Sequence, residues 1–117
     1  ACGHLVSLFS VAEEALSKCG LNESQAREIL VPLVKSTTNN LALQSPSAAL
    51  TGPFARADIE TVKLHIDTLS ENLGAEKLKI YLQLGLQSLA ILKSDDKTAE
   101  RAKDLRSLLT EKLTSTN

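Results

Sequence analysis

Apolar positions recur every three or four residues along nearly the whole chain, a spacing that gathers each set on one face of a helix. Leu5, Leu8, Phe9, Ala12, Ala15 and Leu16 predict a first helix from about residue 3 to Lys18 with one buried stripe. Gly20 ends it, because glycine tolerates the left-handed backbone just past a helix terminus. Asn22 and Gln25 have the spacing of a capping box, in which the Asn side chain accepts a first-turn N–H and the Gln side chain reaches back. A second helix then turns Ala26, Ile29, Leu30, Leu33, Val34 and Leu41 inward and runs to about Leu43. Pro32 lies within it and removes the N–H that would bond the Glu28 carbonyl. A kink rather than a stop is expected, since the apolar spacing continues on the far side.

Residues 45–57 read as the longest irregular segment, with a turn at Gly52-Pro53. Asp58 is placed to cap a third helix whose core positions Ile59, Val62, Ile66, Leu69 and Leu73 step by 3, 4, 3 and 4, and Gly74 terminates it. The fourth helix, about Glu76 to Lys93, is apolar over more than half its circumference and is expected to be central. Gly85 falls inside that arc, where a missing Cβ would let a neighbouring helix come close. A fifth helix, about Asp96 to Leu113, buries Ala99, Ala102, Leu105, Leu109 and Leu113, and Thr114 to Asn117 should fray. Nothing alternates with period two over a useful length, so the fold class is all-α, about five helices in a bundle with the second kinked at Pro32.

The 117 residues are enough for one domain with its own core. Charge is balanced at 13 basic against 14 acidic residues, with −2 in residues 1–60 and +1 in the rest, so neither half is a platform for phosphate backbones or anionic lipid. Only Phe9, Phe54 and Tyr81 are aromatic, too few for stacking unpaired bases, and nucleic acid is not an expected partner. No apolar run approaches the roughly 18 residues of a membrane span. Cys2 and Cys19 are seventeen residues apart on one predicted helix, roughly 26 Å at 1.5 Å per residue. A disulfide between them is therefore excluded, a two-thiol metal site fails on the same geometry, and unpaired thiols fit a cytoplasmic setting. The chain opens at Ala1 in the middle of helical pattern and has no methionine, as a piece of a longer protein would.

The five glycines are dispersed, so no phosphate-cradling glycine loop exists, and no Ser elbow or Cys/His nucleophile pair is legible. An independent active site and a cofactor site are not expected in these residues. The best ligand-contact candidate is the Thr51-Gly52-Pro53-Phe54-Ala55-Arg56 loop, where a hydroxyl, a backbone N–H and a guanidinium could converge on an anion or carbonyl. The competing reading pairs Arg56 with Asp58, or with the last carbonyls of the second helix, and leaves Thr51 and Pro53 to shape the turn. Lys97, Arg101, Lys103 and Arg106, interleaved with Asp96, Glu100 and Asp104, read as a solvated face. Cys2 reads as a small buried hydrophobe.

The run Leu50-Thr51-Gly52-Pro53-Phe54-Ala55-Arg56-Ala57-Asp58, with Thr61-Val62 and His65-Ile66 after it and Ala12-Glu13-Glu14 and Pro32-Leu33-Val34-Lys35 before it, resembles the signature of a helical C-terminal domain, itself of unknown function, found in Rossmann-like oxidoreductases. The resemblance covers about the first ninety residues. It implies a build like the helical halves of 6-phosphogluconate dehydrogenase and pyrroline-carboxylate reductase. Residues 1–117 would then be a single helical C-terminal domain whose N-terminal Rossmann domain, absent here, holds NADP or a deazaflavin. The helical part would supply a substrate-cleft wall at Thr51, Gly52, Pro53 and Arg56 and pair with a second copy as a homodimer. Its partners would be that Rossmann domain and a small-molecule substrate. His4, near where relatives place a cofactor-facing helix end, would be a further substrate contact, although Cys2-Gly3 stands where they often carry an amide residue. His65 matches the family's histidine and reads as a half-buried, hydrogen-bonded structural residue. The alternative is a stand-alone helical protein-interaction module.

Overall fold

The computed structural model describes residues 1–93 and 95–116, and these form six helices with no strand among them: α1 Cys2–Lys18, α2 Glu23–Leu43, α3 Pro46–Ala49, α4 Ile59–Leu73, α5 Ala75–Ile91 and α6 Asp96–Ser115. All-α is correct, and the additional element is α3. It is a single turn inside the segment expected to be irregular, started by Pro46 at a first-turn position and by the Ser45 hydroxyl, which accepts from Ala48 N–H at 3.3 Å. The contacts divide the chain into two compact units, Ala1–Leu43 and the residues from Gln44 on.

The first unit is a hairpin of α1 and α2. α1 ends where Gly20 takes φ +89°, with Gly20 N–H donating to Ser17 O and Leu21 N–H to Leu16 O. These are the paired bonds of a Schellman stop. The capping box forms as expected: Gln25 N–H donates to Asn22 Oδ1 and Asn22 N–H to Gln25 Oε1, both at 2.9 Å. α2 passes through Pro32 and continues to Leu43. Its apolar stripe and that of α1 are not buried as the spacing predicts. Leu5, Leu8, Ile29, Leu33 and Leu41 are exposed, Phe9, Leu16, Leu30 and Val34 are half-buried, and only Ala26 is buried. A hairpin gives each helix one neighbour, and a single line of contact covers less than an amphipathic arc. Cys2, expected to be buried, is exposed for the same reason, and both thiols are unpaired.

In the second unit α5 packs against both α4 and α6, and α4 also touches α6. Val62 and Ile66 of α4, Leu78, Leu82 and Leu89 of α5, and Ala102, Leu105 and Leu109 of α6 close one core together with Ala57. α5 is thus central as expected, yet its apolar arc is wider than its neighbours cover, and Ile80 and Leu84 stay exposed. Gly74, at φ +87° and ψ 173°, both ends α4 and starts α5, a backbone combination essentially restricted to glycine. α6 begins at Asp95, whose carboxylate accepts from Thr98 N–H at 2.8 Å. Ala99 is exposed rather than buried, since it lies in the first turn of α6, before the helix meets the core at Ala102. The charged residues of α6 form the solvated face expected of them. The helix extends through Ser115; Asn117, the last residue of the stretch expected to fray, lies outside the described residues.

Candidate functional site

The turn before α4 is built like the end of α1. Arg56 N–H donates to Gly52 O at 3.3 Å, Ala57 N–H to Phe54 O at 3.2 Å and Asp58 N–H to Pro53 O at 2.8 Å. One helical turn is thereby wound and stopped, with Ala57 at φ 50° where α1 uses Gly20. A left-handed alanine costs about 1–2 kcal/mol. Its methyl is fully buried in the core, which offsets part of that strain, by about 0.8 kcal/mol. Gly52 enters the turn at φ +86°.

Asp58 leaves the turn and starts α4: its Oδ1 accepts from Thr61 N–H at 3.1 Å and its Oδ2 from the Thr61 hydroxyl at 2.7 Å. The Thr61 hydroxyl, the Thr61 N–H and, more weakly, the Arg56 guanidinium and His65 hold the Asp58 carboxyl below its usual range. The Arg56 guanidinium lies 3.9 Å from Asp58 Oδ2, which realises the ion pair weighed against a ligand clamp. At that length, and well exposed, the pair adds little to stability and leaves the guanidinium's donors available. Arg56 and Asp58 line an open depression of about 460 Å³ together with Glu60 and Arg101. Thr51 and Gly52 do not line it, and Pro53 contributes its carbonyl to the turn rather than to the depression. His4, exposed on α1, belongs to the other unit.

Behind the turn, Phe54 fills the notch at Gly85. A Cβ on Gly85 would stand 2.6 Å from Phe54 Cζ, 2.7 Å from its Cε1 and 3.2 Å from Leu109 Cδ1. The close approach expected at Gly85 therefore comes mainly from a loop ring rather than from a neighbouring helix. The Phe54 and Tyr81 ring centroids are 5.6 Å apart, and the Tyr81 and His65 centroids 5.9 Å apart in an edge arrangement. His65 Nδ1 and the Tyr81 hydroxyl are 2.9 Å apart. His65 is hydrogen-bonded, as expected, but exposed rather than half-buried. Burial pushes the Tyr81 phenol up to about 12.

Sequence reasoning missed this chain of three rings because Tyr81 counted only as an apolar position. A signal was present: Tyr81 and Gly85 are four apart, one above the other on a helix face, as a ring and a notch would need to be. Among the described residues no group of three or more His, Cys, Asp or Glu could hold a metal ion, and no helix is long and apolar enough to cross a membrane. No curated protein and no solved structure matches the chain. Residues 1–88, which include the hairpin, the turn and most of α5, match the family described as Domain of unknown function (DUF2520), and the chain belongs to that family.

Proposed function

We propose that the chain is the helical C-terminal domain of an NADP- or deazaflavin-dependent oxidoreductase, built like the helical half of 6-phosphogluconate dehydrogenase. A separate nucleotide domain of that enzyme supplies the redox chemistry. The turn at residues 52–58 forms part of the cleft wall against a small polar substrate, with Arg56 as its cationic contact, and the hairpin pairs with a second copy. The observation that supports the pairing is the apolar surface of the hairpin. Val6, Leu33 and Leu43 are 69%, 59% and 86% exposed, and Leu5, Leu8, Ile29, Val31 and Leu41 are exposed with them. Residues 1–12 carry no Asp, Glu, Lys or Arg, and residues 29–43 carry only Lys35. Two such surfaces can meet without like-charge repulsion, and each Leu fully covered contributes about 1.5–3 kcal/mol.

Sedimentation across a dilution series tests the pairing: a concentration-dependent dimer is expected, abolished by Leu33→Glu, and a monomer at every concentration defeats it. The parentage is tested by the reading frame upstream of Ala1, which should encode a βαβ unit with a glycine-rich phosphate turn. A start codon immediately before Ala1 would leave a stand-alone interaction module instead. In the full-length parent, Arg56→Ala should lower kcat/KM with little change in Tm; lost stability with unchanged kinetics would reduce Arg56 to a structural partner of Asp58.

A further inference from the structure

The 2.9 Å contact between His65 Nδ1 and the Tyr81 hydroxyl permits two assignments. Either the phenol donates to a bare Nδ1, or an Nδ1–H donates to the phenol oxygen. They differ in which group donates. A phenol is a far stronger acid than a neutral imidazole N–H, and an imidazole nitrogen is a stronger base than a phenol oxygen, so the phenol is the better donor and Nδ1 the better acceptor. A half-buried phenol ordinarily spends its donor on a partner. The first assignment gives the Tyr81 donor that partner, and it places the imidazole proton on Nε2 of an exposed residue.

The phenol is also held in place. The Phe54 ring lies against it, and Phe54 itself sits where a Cβ on Gly85 would stand, one turn along α5 from Tyr81. Because burial keeps the phenol protonated up to about 12, its donor persists wherever histidine is neutral.

We infer that Tyr81 is a positioning residue for His65: its hydroxyl donates to Nδ1, fixes the neutral imidazole as the Nε2–H tautomer, and presents that N–H on the surface of α4 as a donor to an oxygen acceptor such as a carbonyl or carboxylate. This holds whether or not Arg56 meets a substrate, since it rests on different residues.

Long-range proton–nitrogen correlation spectra of the isotope-labelled chain in mildly alkaline buffer read the tautomer directly. His65 should show a single Nε2–H form with Nδ1 as an acceptor nitrogen. In Tyr81→Phe, which keeps the ring and its packing, the Nδ1–H form should appear and the Nδ1 resonance should move toward the tautomer-averaged position. His4, exposed on α1, serves as internal reference and should be unchanged. An Nδ1–H form in the wild type overturns the inference without need of the variant, and so do His65 spectra that are identical with and without the hydroxyl.

Discussion

Ala1–Leu43 and the residues from Gln44 on are both amphipathic helices in sequence, yet they differ in what they hide. Among the described residues, ten of the eleven buried apolar residues lie beyond Leu43, and eight of the eleven exposed large apolar residues precede Gln44. The difference is one of neighbours. In the second unit α4, α5 and α6 touch one another in every pairing, so a Leu on any of them finds atoms on several sides. Within the hairpin each helix has a single partner helix, and the same spacing of Leu and Ile leaves most of the stripe uncovered. The caps differ as well. The hairpin's cap is a neutral Asn22–Gln25 box, whereas α4 and α6 are capped by the carboxylates of Asp58 and Asp95.

The largest test of this contrast is a truncation on each side. Leu82→Ala, in the core of the second unit, should cost about 2–5 kcal/mol in urea unfolding. A cost near that of an exposed leucine would show the core is not shared by three helices. Gly85→Ala comes next. Overpacking against Phe54 costs about 1–3 kcal/mol and the gain in helix propensity returns about 1, for a net loss of about 1. A gain in stability would mean that the ring yields freely. Asn22→Ala should loosen the start of α2 by about 1 kcal/mol, seen as faster amide exchange in its first turn. Leu33→Ala should be the weakest, within about 0.5 kcal/mol of wild type under dilute conditions where chains are separate.

Acid sharpens the comparison. The pKa values of Asp58 and Asp95 are lowered in the folded state, chiefly by bonds from Thr61 and Thr98. A carboxylate of depressed pKa contributes stability that is present above its unfolded value near 3.8 and is lost as pH falls through the folded value. Amides at the starts of α4 and α6 should therefore lose protection as pH drops below about 4, while the start of α2 keeps its cap. Equal loss at all three would remove the distinction. At the other extreme, the chain's single tyrosine allows a direct ultraviolet titration, whose midpoint should lie near 12 instead of 10.

Helix ends were the most legible part of the chain, because a cap is chemistry between residues two to five apart. Gly20, the Asn22–Gln25 box, Asp58 and Gly74 act where the sequence places them. The turn at residues 52–58 was legible as a turn but not as a helical turn stopped on Ala57, since nothing local marks an alanine for the left-handed region. The competing fates of Arg56 were both readable, and the spatial arrangement set it beside Asp58 and across a depression from Arg101 of α6. His65 was readable as hydrogen-bonded, its partner sixteen residues away was not.

The sequence by itself determined that this chain is helical, where most helices begin and stop, and which face of each is apolar, because all three depend on residues within a turn or two of one another. Tertiary structure alone decided which apolar faces are covered, that Phe54 fills the notch at Gly85, and that Tyr81 meets His65. Those outcomes depend on how many neighbours a helix has and on where a distant side chain arrives, and three-and-four spacing reads the same in a hairpin as in a three-helix core.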